Sequence, residues 1–393
     1  IFLTFNDSDK VVAYQTSDGS ESWRFYTDGP VRLPPVGHEG NIYVTSDDGF
    51  LYCLAADSGE LKWKFRGGPG PLKVLGNKRL VSAWPARGGP VIRDGHVYFA
   101  ASIWPMMGTF IFSLDAETGA VEWLNDSTGS QYIKQPHSAP SFAGVAPQGA
   151  LVATDEHLIV PGGRSVPAAF DRSTGKFRHF EINDGGKGNG GSFVIANGEE
   201  YFVHTRYRGV RNYDLASGRK QGYTCNEPVL TNPYLYTASD EEGKKEVHIV
   251  DVETKKRIWT VAADGTDDLI KAGDDLFAAG ENSLTAIRLS DKGRKGKTIW
   301  TRKVNGNIQR LLAGNGMLFA VTLDGNILAY GPGNASSRVI VPTEKKPDAI
   351  VGNQAAELLK QTRAHDGYCL WYGADDVALL ESAVLNSELR IVV

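Results

Sequence analysis

The sequence predicts an all-β chain: an eight-bladed β-propeller of four-stranded antiparallel blades, its first and last blades incomplete, with a small C-terminal α/β tail. Three observations predict it. A motif such as "IFSLDAETGAVEW", residues 111 to 123, recurs: alternating apolar residues break at a Thr-Gly turn and close on Trp. Copies are preceded by a second pattern of a short apolar strand, a turn with Gly or Asp, and another apolar strand. The alternation stops after Pro332, where helical spacing takes over.

The copies follow in order. "AYQTSDGSESW" ends on Trp23, "LYCLAADSGELKW" on Trp63, "HIVDVETKKRIW" on Trp259 and "AIRLSDKGRKGKTIW" on Trp300, and "AAFDRSTGKFRHF" puts Phe180 in the Trp place. A decayed copy, "RNYDLASGRKQG", and a half copy, "NILAYGPG", complete the series. Successive end points lie about 40, 60, 57, 42, 37 and 41 residues apart, the period of a propeller blade with two enlarged connections. Preceding pieces such as "GPVIRDGHVYFAAS", 89 to 102, supply the other two strands.

A lone four-stranded sheet cannot bury both faces, so the blades must stack radially, which also shields their edges. An indole on the outer strand covers the adjoining sheet and returns its ring N–H to backbone, while the Thr/Ser-Gly before it sets the turn. Trp23, Trp63, Trp123, Phe180, Trp259 and Trp300 therefore read as structural. The first unit lacks an inner strand and the last its outer Trp strand, so the native gene is expected to continue upstream of Ile1.

Composition removes several function classes. A net charge of −4 gives no electrostatic case for nucleic acid. No apolar run reaches the length of a membrane-spanning helix. The three cysteines, Cys53, Cys225 and Cys369, form no CxxC or CC pair. "NDSDK" and "DGTDD" lack the spaced ligands of a calcium loop, HExxH and GxSxG are absent, and His96, His157 and His248 sit in strand patterns. No metal site and no catalytic residue is assigned, and the chain reads as leaning away from an enzyme.

Two connections exceed what a blade needs: 64 to 89 and 124 to 149, which bracket the third blade. They carry Trp84, Tyr132 and His137, with Trp104 nearby, and long loops on a rigid scaffold are where binding residues concentrate. Arg164, Arg206 and Arg208 follow second strands of their blades, where loops face one end of the channel. These seven residues are the candidate binding face. "GGKGNGG", 185 to 191, crosses between blades without the strand-to-helix context of a phosphate loop.

The run D-x-x-T-G-x-x-x-W after a G-x-V/I-Y-V strand resembles the repeat of quinoprotein-like (PQQ-like, WD40/YVTN-like) eight-bladed propellers. These include pyrroloquinoline quinone (PQQ) dehydrogenases and the lipoprotein that aids outer-membrane protein assembly. Residues 81 to 123 resemble, more narrowly, planctomycete-type bacterial propellers fused to a methyltransferase-like domain. The resemblance implies a bacterial, extracytoplasmic or periplasmic platform for a protein or polymer partner, without cofactor. Its first alternative is an oxidoreductase with PQQ and calcium in the channel. That family usually places a vicinal disulfide beside the quinone, which this sequence cannot form, and PQQ's three carboxylates require converging cations such as Arg206 and Arg208. A small molecule bound by several blades at once would leave no linear motif.

The domain boundaries expected are 1–335 for the propeller, 336–347 for a linker and 348–393 for the tail. In the tail, "DAIVGNQAAELLKQTR" has helical spacing, with Asp348 as N-cap. "GYCLWYG" then reads as a strand, "ADDVALLESAVLN" as a helix and "ELRIVV" as a second strand, the opening of a doubly wound domain. It resembles the start of a class I methyltransferase fold, which implies Gly373 as a contact for S-adenosylmethionine; Asp375 and Val377 stand where that family has glycine. The second alternative is thus the regulatory domain of a truncated methyltransferase.

Overall fold

The computed structural model describes residues 1–76, 79–134, 139–163, 165–180, 190–205, 209–332, 339, 349–373 and 376–393. The chain divides into two compact units, residues 1–74 with 80–334, and residues 75–79 with 335–393. The expected linker falls almost wholly outside the described residues, as does Asp348.

The first unit is an eight-bladed propeller of antiparallel sheets, and blade 2 shows the repeat in full. Its strands Val36–His38, Asn41–Thr45, Phe50–Ala55 and Leu61–Arg66 pair in chain order from the inner to the outer edge. The first sheet (Phe2–Phe5, Lys10–Tyr14, Glu21–Tyr26) and the last (Ile308–Gly314, Met317–Thr322, Ile327–Tyr330) have three strands. In the middle, one long strand, Lys220–Thr231, closes blade 5 and opens blade 6, joining them into a seven-stranded sheet.

The alternation of each strand splits its apolar residues between two neighbours. In blade 2, Leu51 and Cys53 pack with Val97, Phe99 and Phe112 of blade 3, while Tyr52 and Leu54 pack with Val11, Ala13 and Trp23 of blade 1. The same division repeats along the chain, so the core is a series of layers between successive sheets. Burial of each such side chain contributes roughly 1.5–3 kcal/mol, and a one-residue slip would turn every strand inside out.

The recurrent Trp locks one blade to the next. The Trp23 ring N–H donates to Ala56 O at 3.1 Å, Trp63 to Glu117 O at 2.9 Å, Trp123 to Arg172 O at 3.0 Å and Trp259 to Gly293 O at 3.3 Å. Each acceptor lies in the turn between third and outer strands of the following blade, and each ring rests on a nearby glycine: Gly59, Gly119 or Gly175 in the turn itself, or Gly296 at the start of the outer strand. The Asp of the repeat builds that turn. Asp115 Oδ1 accepts from Thr118 N and Oγ1, both at 2.7 Å, and Asp251 Oδ1 does the same for Thr254. These bonds to the charged form hold the Asp115 carboxyl below its ordinary range.

Sequence reading missed one partner of this lock. An aromatic two strands inward packs against each Trp: Phe2 on Trp23, Tyr43 on Trp63, Tyr98 on Trp123, Tyr236 on Trp259 and Phe277 on Trp300, with ring centroids 5.8–6.5 Å apart. The Tyr of the "IYV" strand pattern was its signal.

The Trp place in blade 4 needs a correction. His179, not Phe180, pairs with Ala169 as Trp123 pairs with Ser113. Its Nε2 lies 2.8 Å from Leu215 O, and its ring covers Gly218. Three residues separate the turn glycine from the ring in "TGAVEW" and in "TGKFRH" alike, so the turn fixes the register. Phe180 is buried in the layer against blade 3 instead.

Between blades 5 and 6 an ion pair replaces the ring. Lys255 stands at the turn-glycine position with φ +56°, and its Nζ reaches Glu200 Oε1 and Oε2 of blade 5 at 3.0 and 3.1 Å. Asn212 Nδ2 holds the same buried carboxylate at 2.8 Å.

The second unit contains helix α1 (Ala349–Thr362) and a parallel pair of strands, Asp366–Leu370 and Glu388–Val392, joined through helix α2 (Val377–Leu385). Asp376 caps α2, its side chain accepting from Leu379 N at 2.9 Å.

Candidate partner-binding face

Three loops of the propeller come together over blade 3. The first is the connection between blades 2 and 3, ending at Trp84–Arg87. The second, residues 102–109, joins the middle strands of blade 3 and contains a short 3-10 turn, Pro105–Met107. The third is the connection after blade 3, which folds on itself as a hairpin of Gln131–Lys134 and Pro140–Ala143.

Polar bonds hold these loops to one another. Trp84 Nε1 donates to Met107 O at 2.7 Å, Ser102 N to Pro85 O at 3.0 Å, and Thr109 Oγ1 to Val145 O at 2.6 Å. Backbone contact finishes the fit, because a side-chain carbon built on Gly129 would fall 2.6 Å from Pro105 O and one built on Gly144 the same distance from Pro105 Cβ.

The base of this cap is pinned by Asp47. Its carboxylate is 1% exposed and receives Arg32 Nε at 2.6 Å, Arg87 Nε at 2.9 Å and Arg87 Nη2 at 2.9 Å. Arg32 comes from the connection before blade 2 and Arg87 from the one after it. One buried acid therefore organises both connections.

What the cap presents outward is apolar. Trp104 is 52% exposed, Met106 83%, Tyr132 66% and Phe142 73%, and the Tyr132 and Phe142 rings meet edge-on at 5.3 Å. Aromatic and methionine side chains held on rigid loops are the residues that anchor protein interfaces.

Among the residues singled out from the sequence, Trp84, Trp104 and Tyr132 thus lie on the three joined loops; Trp84 serves mainly as a strut, while the other two face solvent. His137 lies outside the described residues. So do Arg164, Arg206 and Arg208, the cations considered for a quinone. Met106 and Phe142 were not singled out, although "WPMMG" and the aromatic of "PSFAG" signalled them.

Among the described residues, no group of three or more His, Cys, Asp or Glu side chains is arranged to hold a metal ion. Cys53 is buried, and burial pushes its thiol up. Gly373 of the second unit is exposed, with φ +86°, beyond the end of the first parallel strand. The cleft in that unit, ≈480 Å³ and lined by His365, Asp366, Asn386, Ser387 and Glu388, opens at the N-terminal ends of both parallel strands. Doubly wound domains take their ligands at the opposite ends.

The family described as outer membrane protein assembly factor BamB matches residues 1–84 and 77–261. The chain belongs to this BamB-type family. Among curated proteins, the BamB of Burkholderia pseudomallei (strain K96243) is 26% identical over 188 residues, which is 40% of this chain and 47% of that protein. The chain thus spans about half the length of this curated BamB. Among solved structures, BamB from Moraxella catarrhalis aligns with 84% of this chain and 96% of its own, at a TM-score of 0.51 and 14% identity. A quinohemoprotein alcohol dehydrogenase from Pseudomonas putida HK5 aligns over 91% of this chain and 78% of its own, at a TM-score of 0.56 and 13% identity. The likeness to a BamB and to a redox enzyme alike is one of fold, and the fold alone does not choose between platform and catalyst.

Proposed function

We propose that the protein is a non-catalytic platform that holds a protein partner on the cap of blade 3. The observation that carries this reading is the exposed set Trp104, Met106, Tyr132 and Phe142, standing on loops that are hydrogen-bonded to one another and anchored through Arg87 to a buried acid. Loops tied to one another in this way lower the ordering entropy that binding costs, and large aromatic side chains supply the buried area. Membership of the BamB-type family supports a partner from the machinery of outer-membrane protein assembly and a place outside the cytoplasm of a bacterium.

The test is calorimetric titration of the protein with the purified soluble domains of that machinery from its own cell. In the variant Tyr132→Ser/Phe142→Ser, both altered side chains are exposed and the fold is expected to persist. Loss of binding in that variant, with an unchanged melting temperature, is the expected result; undiminished binding overturns the placement of the partner on the cap.

A further inference from the structure

Beside the cap lies a cleft of ≈200 Å³ lined by Asp28, Asp48, Phe50, Lys64, Arg66, Pro71, Lys73 and Ser82. Strand pairing explains how its cations converge. Lys64 stands opposite Tyr52, and Arg66 opposite Phe50, so both side chains share one face of the outer strand of blade 2. Lys64 Nζ sits 4.9 Å, and the Arg66 guanidinium carbon 4.8 Å, from the centre of the Phe50 ring. Lys73 arrives from the connection that follows.

Among the described residues no carboxylate comes within ion-pair distance of Lys64, Arg66 or Lys73, although Asp28 and Asp48 line the same cleft. Asp48 is engaged elsewhere: its oxygens accept from Phe50 N at 2.9 Å, Asp28 N at 3.0 Å and the Tyr52 hydroxyl. Burial also raises its pKa, which weakens it as a counter-ion. Ser82 is buried in the wall, accepts from Trp84 N at 3.1 Å and keeps its hydroxyl proton to donate.

The volume is below that of pockets that enclose cofactors or drug-sized ligands, yet suits one or two side chains. Through Ser82 and Trp84 the wall continues into the cap. We propose that this cleft receives an acidic side chain of the protein partner, its carboxylate seated between Lys64, Arg66 and Lys73 with Phe50 beneath its methylene groups. The inference rests on the platform reading and adds the chemistry of the partner: an acidic residue flanking an apolar contact.

The probe is a fluorescein-labelled tetraglutamate peptide, followed by anisotropy on the intact protein, with tetralysine and inorganic phosphate as comparisons. Saturable binding that weakens with salt and falls at least about tenfold in Lys64→Gln/Arg66→Gln/Lys73→Gln is expected. The three altered side chains are exposed, and melting temperature checks that the fold is intact. Tyr132→Ser/Phe142→Ser should keep tetraglutamate binding while losing the partner, so the cleft and the cap fail separately. Absence of tetraglutamate binding, equal binding by the triple variant, or displacement by phosphate better than by acetate at matched ionic strength would each overturn the proposal.

Discussion

The Trp63 indole rests on Gly119 of the following blade, where a side-chain carbon would fall 2.9 Å from ring carbon Cδ2. The ring N–H is bonded two residues before it, to Glu117 O at 2.9 Å. Trp and Gly are thus two halves of one contact, written within a repeat but made between repeats.

Gly119 has φ +72°, so a substitution there meets both an unfavourable backbone and an occupied space. Gly119→Ala is expected to lower stability by about 2–3 kcal/mol, against about 1 kcal/mol for Gly40→Ala. Gly40 shares the backbone conformation, at φ +77°, but has no atom within 4 Å of the added carbon. Urea unfolding of the two variants separates the clash from the backbone strain; equal losses would remove the ring from the account.

Asp47 is almost fully buried and binds two arginines. Asp47→Ala leaves Arg32 and Arg87 without their acid and is expected to lower stability by roughly 3–5 kcal/mol, as for other broken buried pairs. The cap should loosen with it. Hydrogen exchange of residues 84–88 should accelerate in the variant, and unaltered exchange there would show that Asp47 does not hold the cap.

His248 is buried in the third strand of blade 6, facing Arg257, Glu241 and Glu246, and burial first, then Arg257, brings its pKa down to about 4. The unfolded chain takes up this proton near pH 6.5, the folded chain only near 4. Between those values the unfolded state binds more protons, so the contribution is complete above pH 6.5 and is lost as pH falls toward 4. Near pH 5 the loss is about 2 kcal/mol. His248→Gln should flatten this part of the stability profile, measured as denaturation midpoints between about pH 7.5 and 5; an identical pH dependence in the variant would assign the effect to other groups.

The blades were legible because their pattern is local: an Asp-x-x-Thr-Gly turn sets the strand register, and alternation sets which side chains enter which layer. Phe180 does not take the Trp place, because spacing from the turn glycine decides, and His179 stands at the spacing the turn dictates. Between blades 5 and 6 the motif faded because Lys255 and Glu200 replace the ring and glycine with charges 55 residues apart, a substitution with no periodic signature. The cap was legible only in part. Long loops rich in aromatics announced a surface, but its supports are Asp47 with Arg32 and Arg87, and the backbone approach at Gly129 and Gly144, which join residues distant in sequence. The cations of the cleft were invisible for the same reason, since only strand pairing brings Lys64 and Arg66 over Phe50.

The proposed function makes the quinoprotein-like repeat a way of building this propeller and makes its chemistry binding rather than redox. It is tested most directly by titrating the protein with PQQ and calcium while following melting temperature and quinone absorbance. A ligand that prefers the folded state must stabilise it. A platform should show no saturable rise in melting temperature and no bound-quinone absorbance. A saturating rise accompanied by that absorbance would contradict it and restore the oxidoreductase reading.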